Sequence, residues 1–123
     1  MKDLSVMKRL ASQQWGEVNR QKKILDGVYW FGCSGHGGYV VDTDKFPKAE
    51  DFEVDVFIRY GSSKYRPSEQ HFAIFEEDCD WAVIEYLYPE VFSKVCKIWD
   101  WDEDNRISLV EDSVERWNKE YLK

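Results

Sequence analysis

The sequence predicts an α+β fold: an N-terminal helix, a four-stranded antiparallel sheet and a helical C-terminal half. Three observations carry the prediction. Leu4, Met7, Leu10 and Ala11 recur at helical offsets near the start, and Val91, Val95, Cys96 and Trp99 do so near the end. All seven glycines lie at or before Gly61. The β-prone runs fall in the same glycine-punctuated stretch. With 123 residues, 43% of them hydrophobic and 16% aromatic, the chain is expected to bury a core as a single domain over residues 1–123.

Residues 3–15 read as a helix capped by Asp3 or Ser5. Residues 16–23 continue it as a polar, basic segment that Asp26-Gly27 closes with a turn. Val28-Tyr29-Trp30-Phe31 opens a strand, and Tyr39-Val40-Val41 is its partner across a glycine-rich hairpin tip. Residues 42–51, containing Pro47, form a loop. Val54, Val56 and Ile58 alternate with Asp55, Phe57 and Arg59, which predicts a strand over 53–60. A polar loop over 61–70 leads to a fourth strand, 71–75. A helix capped by Asp78 or Asp80 then runs to about Tyr88, and Pro89 suits the first turn of the next helix. Asp100 to Asn105 is an acidic turn before a last helix carrying Val110, Val114, Trp117 and Tyr121.

Charge is unevenly spread. Residues 1–75 hold 11 Lys/Arg and 10 Asp/Glu, whereas residues 76–123 hold 6 and 14. An acidic half of this kind attracts a basic partner or cations and disfavours direct contact with nucleic acid, which needs a concentrated basic patch. No stretch is apolar enough for a membrane span, and the first residues lack the apolar core of a secretory signal. Three cysteines, Cys33, Cys79 and Cys96, with no CxxC spacing, argue against a disulfide framework. The expected location is the cytoplasm.

Two segments could carry chemistry. In Ser34-Gly35-His36-Gly37-Gly38 the flanking glycines leave an imidazole accessible, although no Lys-Ser/Thr pair comes after them to make a phosphate loop. In Glu76-Glu77-Asp78-Cys79-Asp80-Trp81, four carboxylates within five residues could bind a metal or act as general acid and base. They would equally serve as favourable charges at a helix N-terminus, with Cys79 and Trp81 buried. A small hydrolase would use His36 with Glu76 or Glu77. The acidic surroundings of Cys79 blunt it as a nucleophile.

These two segments together resemble the DUF7007 family of phage and mobile-element proteins, over about residues 28–92. The resemblance is carried by a Trp-rich strand, a His-Gly-Gly turn and the Glu-Glu-Asp-Cys-Asp-Trp segment. It implies no activity, no catalytic residue and no cofactor. What it implies is a setting, a phage or mobile element acting inside a bacterial host cell.

A third segment, residues 100–111, places acids at positions 1, 3, 5 and 12 of an EF-hand calcium loop, with Ile107 at the eighth. Asn105 stands where that loop has glycine, and no second loop is present to pair with it. The competing reading is an acidic inter-helix turn, with Asp112 or Ser108 capping the last helix. The function expected from setting and charge is an anti-defence protein of the anti-CRISPR type, not an enzyme. It would bind a host nuclease or CRISPR effector at a basic groove, with carboxylates standing in for phosphates. The expected contact residues are Glu76, Glu77, Asp78 and Asp80 in one cluster, with Asp100, Trp101, Asp102, Glu103 and Asp104 in the other. No cofactor and no metal is expected.

Overall fold

The structure, a computed structural model, describes residues 2–61, 64–67 and 71–122. Helix α1, Lys2–Trp15, forms because Met7, Leu10, Ala11 and Trp15 fall on one face, and all four are buried. Gly16 ends it in a left-handed conformation (φ 96°), its N–H donating to Ser12 O at 2.9 Å. The polar continuation expected over residues 16–23 is not helical. Residues Val18–Leu25 are instead a strand, β1, exposed along most of its length, with only Ile24 buried.

Strands β2, Val28–Cys33, and β3, His36–Asp42, form the expected hairpin. Its turn is only Ser34-Gly35, however, so His36, Gly37 and Gly38 belong to the strand. A 3-10 turn, Pro47–Phe52, replaces the expected loop. The strand expected over 53–60 is interrupted at Asp55-Val56. Glu53–Val54 forms β4, while Phe57–Gly61, β5, pairs with Lys64–Pro67, β6, in a separate two-stranded ribbon. The rest of the expected 61–70 loop, residues 62–63 and 68–70, lies outside the described residues. Strand β7, Phe72–Glu76, lies between β3 and β4. The main sheet therefore has five antiparallel strands, in the order β1-β2-β3-β7-β4, one more than expected.

Alternation along the strands gives the sheet two apolar faces. Phe31, Val40, Phe72 and Ile74 pack against α1. Val28, Tyr39, Val41, Ala73 and Phe75 pack against the C-terminal helices. These are α2, Trp81–Leu87, α3, Pro89–Trp99, and α4, Glu103–Trp117. Each fully buried Phe or Val contributes roughly 1.5–3 kcal/mol, so two such faces hold the layers together.

Pro89 occupies the first turn of α3, as expected, and Val91, Val95 and Cys96 are buried beneath it. Asp100 ends α3 in the left-handed region (φ 54°). Asp102, not Ser108 or Asp112, caps α4, its carboxylate accepting from Asp104 N–H at 2.9 Å. Such a cap contributes about 1 kcal/mol. The calcium loop weighed as an alternative for 100–111 is not formed. Residues 103–111 are helical, so Asp104 and Glu111 project from a helix and cannot wrap one ion as a loop would. Trp117, placed on the last helix with Val110 and Val114, is 56% exposed while those two are buried.

Candidate functional site

The two segments singled out by sequence meet at one end of the sheet. The β3–β7 ladder pairs Gly38 with Glu76, and Glu77 N–H donates to Gly37 O at 2.9 Å. The pairing thus runs one step beyond the strand end, to Gly37 and Glu77, before residues 77–80 turn away. A Cβ on Gly38 would lie 2.1 Å from Phe75 O, and one on Gly37 would lie 2.7 Å from Phe31 O. Only glycines let the three backbones approach this closely.

A ligand atom from each of His36, Glu76 and Asp78 lies within 4.8 Å of the others. Glu77 instead lines a cleft of about 360 Å³ with Arg20, Trp30, Tyr39, Trp81, Trp99, Trp101 and Arg106. The hydrolase pairing of His36 with Glu76 is thus spatially possible.

The cleft is built on a buried ion pair. Glu85 is only 2% exposed, and Arg106 grips it with two hydrogen bonds, Nε to Oε1 at 3.0 Å and Nη2 to Oε2 at 2.7 Å. Tyr39 OH donates to the same Oε2 at 2.9 Å. The guanidinium sits 4.3 Å from the ring centroids of both Trp81 and Trp101. Trp101 in turn stacks on Trp99, and Trp30 meets Trp99 edge-on. Burial pushes the Glu85 carboxyl up, against the opposing pull of Arg106 and the Tyr39 hydrogen bond, and pushes the Tyr39 hydroxyl up as well. Sequence reasoning missed this network. Its signal was a lone glutamate inside the apolar run Ala82-Val83-Ile84-Glu85-Tyr86-Leu87 and a lone arginine inside an acidic one.

The expected contact clusters are only partly united. Asp80 makes no side-chain cap on α2; its Oδ1 accepts from Asn118 Nδ2 at 3.3 Å, and the same amide donates to Cys79 O at 3.1 Å. Asp78 makes no cap either, and lines a groove with Leu109, Asp112, Glu115 and Trp117 of α4. Asp100, Asp102, Glu103 and Asp104 are all exposed around the other end of that helix, about 20 Å away at 1.5 Å per residue. Trp101, 43% exposed, is already committed to Trp99 and Arg106.

Cys79 and Trp81 are half-buried rather than buried. Burial, then Asp80, Glu76 and Asp78, push the Cys79 thiol up to about 11. Alkylation of Cys79 at pH 8 is therefore expected to run on the order of 100-fold slower than that of a free thiol. Its rate should climb until about pH 11. The folded thiol holds its proton more tightly than the unfolded one, so its contribution to stability is complete below the free-thiol range and is lost as pH rises through the folded value. A mass-spectrometric rate profile with a midpoint near the ordinary thiol pKa would contradict this environment.

The model for a domain of unknown function, DUF7007, matches residues 8–123. The chain belongs to the DUF7007 family. The match extends the resemblance seen over residues 28–92 to most of α1 and to all of the acidic C-terminal segment, so the DUF7007 unit includes α4 as well as the hairpin and the turn. No curated protein and no solved structure matches the chain. Among the described residues, no helix is long and apolar enough to cross a membrane. Cys33, Cys79 and Cys96 are all free thiols in this DUF7007 member.

Proposed function

We propose that this DUF7007 protein is a binding module whose acidic α4 face occupies a basic, nucleic-acid-binding groove of a partner protein. One observation carries the reading. Among the described residues, the exposed large hydrophobic side chains, Trp101, Ile107, Leu109 and Trp117, all lie on residues 101–117. The same stretch with Asp100 carries seven acids and only two arginines. One of those arginines, Arg106, is consumed by Glu85. Apolar anchors set among uncompensated carboxylates suit a protein interface, because the anchors bring contact energy and the charges bring orientation and a fast encounter. Solvation alone accounts for the acids but not for the apolar side chains among them.

The contact set includes Asp100, Trp101, Asp102, Glu103 and Asp104 at one end of α4. At the other end stand Asp78, Asp112, Glu115 and Trp117, so a row of carboxylates about 20 Å long can take the place of a phosphate backbone. The proposed contact does not require Glu76, Glu77 or Asp80. The phage and mobile-element setting implied by the resemblance to this family makes a host nuclease or CRISPR effector the partner class, and the bacterial cytoplasm the place of action. The activity is inhibition by stoichiometric binding, without catalysis.

Capture from host lysate tests this. The tagged chain should retain a nuclease or effector at 50 mM salt and release most of it by about 0.5 M, where exposed charges are screened. The variant Asp112→Lys/Glu115→Lys/Trp117→Ala should capture none while keeping the native Tm within a few degrees. Recovery of no nuclease or effector at low salt would sink the proposal.

A further inference from the structure

The same sheet end brings together a group of donors from three segments. His36 comes from the β2–β3 hairpin, Glu76 from the end of β7 and Asp78 from the turn just after it. We propose that His36, Glu76 and Asp78 form a three-ligand site for a borderline divalent cation, Zn²⁺.

The donors are close enough to converge. One ligand atom from each residue lies within 4.8 Å of the other two. Donors about 2.0–2.1 Å from a tetrahedral zinc lie about 3.4 Å apart, a gap that rotamer changes of these accessible side chains close. The backbone underneath is fixed, since the ladder places Gly38 against Glu76 and Gly37 O accepts from Glu77 N–H. The imidazole is therefore delivered to the carboxylates by strand pairing from a different element. That separates this group from a run of acids on one turn.

Charge balance also favours a cation there. Among the described residues, none of the three side chains has an ion-pair partner; the salt bridges involve Asp26, Glu53 and Glu85 instead. A cation would relieve the repulsion between the neighbouring Glu76 and Asp78 carboxylates. The donor chemistry selects the class: a neutral imidazole with two carboxylates suits Zn²⁺, whereas Ca²⁺ takes six to eight oxygens and gains nothing from a nitrogen. Three protein ligands leave one tetrahedral position open to water or to a ligand atom from outside.

Calorimetric titration of the purified full chain with ZnCl₂, in a buffer that does not chelate the metal, tests the site. One equivalent should bind with a Kd in the low micromolar range. His36→Ala and Asp78→Asn should each weaken binding at least about tenfold, the scale at which even outer-shell changes are felt. Glu77→Gln, in the Trp-lined cleft, should leave it unchanged, and CaCl₂ should bind far more weakly. Circular dichroism confirms that each variant is folded. Failure of the native chain to bind Zn²⁺, equal affinity in His36→Ala, or Ca²⁺ binding as tight as Zn²⁺ would each overturn the proposal. Asp78 belongs to both sites, so His36→Ala, which lies outside the α4 contact set, separates loss of the metal from loss of the partner.

Discussion

Replacing Arg106 by alanine is expected to cost about 3–5 kcal/mol of folding stability, because it leaves a buried carboxylate without its cation. Glu85 is 2% exposed, so water cannot replace the two guanidinium hydrogen bonds. Tyr39 alone would remain as a donor to it. The loss also removes the cation between Trp81 and Trp101, so the wall of the cleft loosens with the core. For a chain of this length the cost corresponds to a fall in Tm of roughly 10–20 °C. A double-mutant cycle isolates the cause. In a Glu85→Ala background, Arg106→Ala should cost no more than about 1 kcal/mol, since no buried charge is then orphaned. Equal costs in both backgrounds would mean that Arg106 acts by packing alone.

The second large effect is expected at Gly38. An added Cβ would sit 2.1 Å from Phe75 O and 3.0 Å from Glu76 Cα, and both are backbone atoms that no rotamer change can move. Gly38→Ala must therefore separate β3 from β7 at the point where the two motifs meet. The expected loss exceeds about 4 kcal/mol, beyond the ordinary range for single substitutions. Gly35→Ala is the control. Gly35 has a positive φ of 86° but nothing within 4 Å of its would-be Cβ, so only backbone strain is added. That strain costs about 1–2 kcal/mol. Urea midpoints at constant slope measure both, and equal losses would contradict close backbone approach as the cause.

How much of the fold and site was legible in the sequence depended on how local each signal was. The faces of α1 and α3 were plain because Met7, Leu10, Val91 and Val95 repeat at the period of a helix within a few residues. Strand β1 was opaque because it is an exposed edge. Its side chains from Asn19 to Lys23 face solvent, so no alternation marks it. The strand predicted over 53–60 is divided at Asp55-Val56, where no glycine or proline marks the break. Residues 100–111 were ambiguous for a physical reason: a helix N-terminus and a calcium loop both favour closely spaced acids. Here the helix wins, with Asp102 as its cap. The two motif segments were found individually, yet their meeting depends on strand register. In the Tyr39–Glu85–Arg106 network the single bonds span 46 and 21 positions, beyond what periodicity can reach.

If α4 takes the place of nucleic acid on a basic partner, competition is the most direct test. With a captured nuclease or effector purified, its binding to labelled DNA or RNA is followed by fluorescence anisotropy as this chain is added. Nucleic-acid binding should be lost at about one equivalent, less completely as salt rises, and should not be lost with Asp112→Lys/Glu115→Lys/Trp117→Ala. Nucleic acid that stays bound while the chain binds alongside it would contradict substitution by α4.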